Sequence, residues 1–182
     1  MGCDGALSES VFDRFPEDYD QWFEDHRAVY HAELAQIRRH FPCPDPYAIE
    51  VGVGSGRFAA PLRIPLGLEP SLPLGRMARA RGVGLIRGRG EAIPIRNEAC
   101  SSVLLVTVIC FLDDPALVLH EVHRILAPRG TLVVGSLERG SEITQRCLHS
   151  RNKHKFLSHA RFYSSDEVRD LLGRTGFFVT EI

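Results

Sequence analysis

Apolar side chains along this chain follow two rhythms, and the change between them falls at a proline-rich break. Between residues 10 and 40 they stand at Val11, Phe12, Phe15, Tyr19, Trp22, Phe23, Val29, Tyr30, Leu34 and Ile37, and from Trp22 onward they fit a helical stripe. Pro42, Pro44 and Pro46 then end any helix, because each proline lacks a backbone donor and crowds the preceding turn. Beyond the break, short apolar runs alternate with helix-like segments. The runs predict strands over Tyr47–Val51, Ile64–Leu68, Val83–Ile86, Val103–Val108, Thr131–Leu137 and Phe177–Ile182. Helices are expected near Ser55–Leu62, Leu72–Ala80, Pro115–Leu126 and Ser164–Arg174. Ser164 with Glu167 forms a capping-box signature, Gly176 stands where that helix should stop, and Pro115 suits a first helical turn.

Strands that are apolar throughout, separated by helices, imply a parallel sheet covered on both faces. The expected class is α/β, Rossmann-like and doubly wound. Composition agrees: 182 residues, 44% hydrophobic and 25% charged, suit a single globular domain over 1–182. Twenty-two Lys and Arg against 23 Asp and Glu leave no global field for a polyanion, so nucleic acid is not an expected partner. The longest apolar run, Val103 to Leu112, is too short to span a bilayer, so no membrane association is expected. Neither a secretory leader nor a myristoylation pattern is read at the N-terminus, where Ala6 replaces the required hydroxyl residue. Cys3, Cys43, Cys100, Cys110 and Cys147 are scattered without a C-x-x-C pair. Reduced thiols in a cytoplasmic protein are expected, with no zinc site.

The sharpest chemical signal is the run Ala48 to Phe58, where a buried strand ends in Gly52, Gly54 and Gly56. Glycines there let the backbone turn tightly and approach a ligand with no Cβ in the way. The second strand ends in Glu69, and an acid at that tip can accept hydrogen bonds from both hydroxyls of a ribose. Spacing then narrows the ligand. A dinucleotide fingerprint needs glycine at position 57, which is Arg57, and no Gly-Lys-Ser/Thr completes a phosphate loop. Glu50, two residues before the first glycine, is awkward beside a pyrophosphate and useful near a cation. A zwitterionic sulfonium fits better than NAD or ATP.

In these residues the chain resembles the class I S-adenosylmethionine (SAM)-dependent methyltransferases, in particular a type 11-like subgroup acting on small molecules. Ile49 to Gly56 is similar to the family's first motif, Gly67 to Ser71 to its ribose-binding segment, and Gly90 to Ile95 to the stretch bordering the adenine. Phe111 to Pro115 and Glu121 to Gly130 resemble its helix and turn into the fifth strand. Phe12-Asp13-Arg14 and Tyr19 to Trp22 look like the subgroup's N-terminal lid, expected over 1–45.

The resemblance implies SAM as cofactor and S-adenosylhomocysteine (SAH) as product. It implies that Gly52, Val53 and Gly54 line the methionine moiety and that Glu50 orients its ammonium. Glu69 would hold the ribose diol, with Pro70, Glu91, Ala92 and Ile93 around the adenine. Thr107 and Val108 would lie beneath the sulfonium, and Tyr19 would reach the methionine end from the lid. Where the family often has an acid before Ala-Glu, this chain has Arg89, which shifts adenine recognition toward backbone around Glu91. The family's seventh strand has no counterpart before Ile182. Either the sequence is a truncated form or the edge is completed another way, and an unpaired edge invites a homodimer.

Other features carry plainer readings. His120 and His123 lack a third convergent ligand and are expected to be solvated helix residues. Cys110 is expected to be a buried thiol. Residues 139–161, within an insertion expected over 139–163, hold six Lys or Arg and three His against Glu142 alone. A solvated face is the ordinary reading there, with attraction of an anionic substrate the other. No Asn- or Asp-Pro-Pro-Tyr follows the fourth strand, which disfavours the amino-directed enzymes of nucleic acids and protein glutamine. The expected reaction is methyl transfer to a small-molecule acceptor by in-line attack. Its catalytic base is unidentified, with Tyr19, His26, His149, His154 and His159 as candidates. The alternatives are a non-catalytic SAM-binding or scaffolding protein completed by a partner, and an NAD-dependent dehydrogenase.

Overall fold

The computed structural model describes residues 10–42, 44–149 and 155–182; Cys3, Ala6, Cys43 and His154 lie outside them. Five strands form one sheet: β1 (Ala48–Val51), β2 (Leu66–Glu69), β3 (Gly84–Arg87), β4 (Cys100–Val106) and β5 (Leu126–Gly135). Their order is β3-β2-β1-β4-β5 and every pairing is parallel. The chain winds outward from β1 through β2 and β3, then returns to place β4 on the other side of β1. Ile49 therefore pairs with Leu66 on one side and Val103 on the other. That reversal leaves a crevice at the carboxyl ends of β1 and β4, the usual ligand site of such sheets.

Alternation along the strands builds a core on each face. Ile49, Val51, Val103 and Leu105 join Val118, Leu119, Val122 and Ile125 of α6 (Pro115–Ile125) and Leu171 of α8 (Ser165–Arg174). Ala48 and Leu104 point the other way, toward Leu34 and Ile37 of α3 (Arg27–His40) and Ala78 of α5 (Leu72–Ala80). The expected caps form. Ser164 and Glu167 make a reciprocal capping box, and the Asp114 side chain accepts from Leu117 N–H ahead of Pro115. Two further helices, α1 (Val11–Arg14) and α2 (Pro16–Asp25), are termed the lid, and Tyr19 of α2 packs against Gly54 in the glycine bend.

Three expected boundaries shift. The helix after the glycines, α4, is only Ala59–Leu62, because Gly54 and Gly56 at φ +53° and +83° keep the preceding residues out of helical geometry. β5 begins at Leu126, five residues earlier than read, with an irregular register near Cys100 and Ser102. The strand expected at Phe177–Ile182 does not form. Those residues line the far wall of a groove of about 950 Å3 along the outer edge of β5, so no ladder partner lies alongside and Phe178 is left 95% exposed. After β5 come α7 (Glu142–His149) and the single-turn helix Leu157–His159, just before which Phe156 stacks on Phe12 of α1. No helix among the described residues is long and apolar enough to cross a membrane.

Candidate functional site

The crevice is organised by a buried carboxylate that reaches across two strand ends. Glu69, at the tip of β2, is 6% exposed. Its Oε2 accepts from Gly54 N–H at 2.8 Å and its Oε1 from Ser71 N–H at 2.9 Å. Burial pushes this carboxyl up to about 7, opposed by the hydrogen bonds from Ser71 and Gly54. Gly54 has φ +53°, a left-handed conformation in which a side chain would be strained. The bend after β1 thus presents bare backbone beside the acid.

Glu50, on β1, is 1% exposed, and its Oε2 has no hydrogen-bond partner among the described residues. Burial drives its carboxyl well above the usual range, the nearby Glu69 adds to this, and a backbone hydrogen bond from Ala59 opposes it. A buried carboxylate oxygen without a donor is costly. Its position at the end of the glycine strand fits a site for an ammonium or sulfonium-bearing ligand. Val108 closes the bend from the β4 side: a Cβ on Gly52 would lie 2.5 Å from Val108 Cγ2. Thr107 takes φ +55° while its N–H donates to Gly135 O at 2.7 Å, which ties the ends of β4 and β5 together.

Tyr19 descends from α2 onto the loop, where a Cβ on Gly54 would meet its hydroxyl at 3.1 Å. Burial raises the Tyr19 phenol, and the carboxylates of Glu69, Glu50 and Asp20 raise it further, so it stands neutral beside the acids. Phe12 packs edge-on against Tyr19 and Phe111 and stacks on Phe156, sealing lid, β4 loop and insertion together. Lys155 pairs with Asp18 across the same seam.

Beneath the lid lies an ion network for which the sequence offered no assignment. Arg57, directly after Gly56, donates to Asp20 Oδ1 at 2.8 Å and Oδ2 at 2.6 Å, and to Glu24 Oε1 at 2.5 Å. Arg81 donates to the same Asp20 Oδ2 at 2.7 Å and to Ser55 O at 2.8 Å. Burial opposes ionisation of Asp20, but the bonds from Arg57 and Arg81 outweigh it and hold the carboxyl at about 2. One aspartate therefore pins the lid to the glycine loop. The only sequence signal was an arginine in place of a fingerprint glycine.

Glu50, Gly52, Gly54, Glu69, Thr107, Val108 and Tyr19 thus converge on the crevice. Val53 turns its side chain into the core against Gly67, leaving only its backbone for a ligand. Pro70 is exposed at the tip of β2. The segment Glu91-Ala92-Ile93 sits beyond β3, anchored from behind. Ile93 is in the core, its N–H donates to Glu121 Oε2 at 2.8 Å, and its carbonyl accepts from Arg124 at 2.8 Å. Arg89 bonds Glu91 at 3.3 Å. Cys110 is buried, its thiol pushed up to about 12 by burial. His123 packs edge-on against Phe177, and no group of three or more metal-ligating residues occurs among the described residues.

Comparison with known proteins agrees with this geometry. A family model described as a methyltransferase domain matches residues 49–134. A crystal structure of a protein from Thermotoga maritima, described as a SAM-dependent methyltransferase and possible histamine N-methyltransferase, is 40% identical with a TM-score of 0.89, over 93% of this chain and 81% of that one. An uncharacterised protein of Methanocaldococcus jannaschii is 33% identical over 168 residues, 92% of this chain and 81% of its own length. An uncharacterised protein of Mycobacterium tuberculosis is 36% identical over 167 residues, and this chain spans 58% of it.

Proposed function

The chain belongs to the SAM-dependent methyltransferases, and from that premise we propose that it moves the methyl group to a small-molecule acceptor at the carboxyl ends of β4 and β5. When bound, SAM supplies an electrophilic methyl group on a sulfonium. The residues fit it: Glu69 offers an acceptor pair for the ribose diol, and Glu50 an uncompensated carboxylate for the ammonium. Gly52 and Gly54 keep side chains out of the bend. Thr107 and Val108 form the floor under the reacting centre, and Glu91 and Ala92 border the adenine.

The protein's task is then alignment and exclusion of water. Positioning alone can lower a barrier by roughly 7–11 kcal/mol in the best cases. The lid supports this role, because Tyr19, Phe12, Phe111 and Phe156 cover the crevice while Arg57 and Arg81 hold Asp20 down. We place the protein in the cytosol, a reading consistent with free thiols at Cys100 and Cys110.

The observation that carries this reading is the buried Glu69 carboxylate on the bare Gly54 amide. Titration calorimetry with SAH and with NAD tests it. Binding of SAH without NAD is expected, followed by transfer of labelled methyl from SAM to some member of a broad small-molecule panel. Binding of NAD in preference to SAH would overturn it.

A further inference from the structure

A second cavity, of about 330 Å3, opens at the carboxyl ends of β4 and β5. Thr107, Gly135 and Ser136 form one side. Glu33, Gln36 and Ile37 form the other, stacked on one face of α3 by their spacing of three and four. Glu33 is the ionisable group of this lining. Burial pushes its carboxyl up, and no hydrogen bond or opposite charge from the described residues offsets that cost. A half-buried carboxylate without a partner gains most from a cation placed against it.

We propose that this cavity is the methyl-acceptor pocket and that Glu33 selects a compact acceptor bearing a primary or secondary amine. The inference rests on the reading above, in which the reacting methyl group lies at the tip of β4. Thr107 belongs to both places: it lines the cavity and caps the strand beside Val108, which closes over Gly52. The volume stands at the small end of ligand pockets, roughly 300–1,000 Å3. Aliphatic wall at Ile37 and Val106 suits a carbon skeleton, while Gln36 and Ser136 add neutral polar contacts. An anionic acceptor would be repelled by Glu33. A neutral hydroxyl would gain only an ordinary hydrogen bond, weaker than the charge-assisted bond an ammonium makes to the same carboxylate.

The chemistry balances. An acceptor arriving as an ammonium gives one proton to the Glu33 carboxylate. Its freed lone pair forms the carbon–nitrogen bond as the electron pair of the methyl–sulfur bond passes to sulfur. The products are a methylated ammonium and a neutral thioether, and Glu33 returns its proton to solvent.

Binding to SAH-saturated protein is the test, by calorimetry or ligand-observed NMR. Butylamine, cyclohexylamine, benzylamine and phenethylamine are each compared with the alcohol and carboxylate of the same skeleton. At least one amine should bind about tenfold or more tightly than its alcohol, with the carboxylates not binding. Glu33→Gln should abolish that preference while SAH affinity stays within about twofold, and Glu33→Asp should keep part of it. Equal binding across the skeletons, an amine preference unchanged in Glu33→Gln, or no amine binding at millimolar concentration overturns the inference. Loss of SAH binding by the wild-type chain would instead overturn the cofactor reading, so the two failures are distinguishable.

Discussion

The backbone N–H of Gly54 donates to Glu69 Oε2 at 2.8 Å, so a single bond joins the bend after β1 to the tip of β2. The acid is therefore part of the loop's own architecture. Ser71 N–H holds its other oxygen at 2.9 Å, which fixes the carboxylate plane. Replacing Glu69 with Gln turns one acceptor into a donor facing an N–H. Since hydrogen bonds to a charged group contribute about 1.5–3 kcal/mol, Glu69→Gln should weaken SAH binding by about tenfold or more. Calorimetry checks the affinity, and an unchanged circular dichroism spectrum separates this from unfolding.

Protonation of the same group sets a pH dependence. Its folded-state value, about 7, lies above the ordinary carboxylate range, so the folded chain holds this proton more tightly than the unfolded chain. The stability it contributes is present in full below the ordinary range and is lost as pH rises toward about 7. Ligand binding runs the other way, because only the ionised carboxylate offers both oxygens to ribose hydroxyls. SAH affinity should rise as pH passes through about 7, and Glu69→Gln should flatten that step in a calorimetric pH series.

Glu50 separates stability from binding. Its Oε2 lacks a partner among the described residues, and burial disfavours its charge. Glu50→Gln removes a desolvated carboxyl and should leave the melting temperature unchanged or higher. SAH binding should nevertheless fall by about tenfold, the scale of one charge-assisted contact. Thermal melts beside calorimetry decide it; a parallel loss of stability and binding would make Glu50 a purely structural residue.

Asp20 should act on the lid. Asp20→Asn removes the charge shared by Arg57 and Arg81, with an expected cost of about 1–3 kcal/mol for these partly buried charged bonds. Hydrogen exchange should quicken in α2 while the amides of β1 and β4 stay protected, and SAH should dissociate faster.

Gly52 tests the close approach of β4. At φ +75°, with Val108 Cγ2 only 2.5 Å from an added Cβ, Gly52→Ala should destabilise the chain by roughly 1–3 kcal/mol. Adding Val108→Ala removes the clash and leaves the backbone strain, so the pair should recover part of the loss in a double-mutant cycle of melting curves.

Much of this architecture was legible in the chain because its signals are local. Central strands buried on both faces read as nearly continuous apolar runs, as at Val103–Val106, and Ser164 with Glu167 announced a helix start directly. The glycine spacing and the acids at 50 and 69 separated a sulfonium from a pyrophosphate. What stayed hidden depends on partners distant in sequence. Asp20 meets Arg57 and Arg81 across 37 and 61 residues, and each alone reads as a solvated charge. Glu33 is likewise an ordinary helix acid until α3 lies against β4 and β5. Phe177–Ile182 has strand-forming side chains, but a strand also needs a neighbour at ladder distance, and the groove beside β5 withholds one. The motif puts Ile93 beside the adenine, but it does not reveal that the Ile93 backbone is held by Glu121 and Arg124, which lie 28 and 31 residues further along the chain.

The most direct measurement is a crystal structure of the chain grown with SAH. The account predicts the ribose hydroxyls on the Glu69 carboxylate, the amino group beside Glu50 and the thioether sulfur over Thr107 and Val108. An adenosyl group bound elsewhere, or a Glu69 carboxylate that keeps no contact with the ribose, would contradict it.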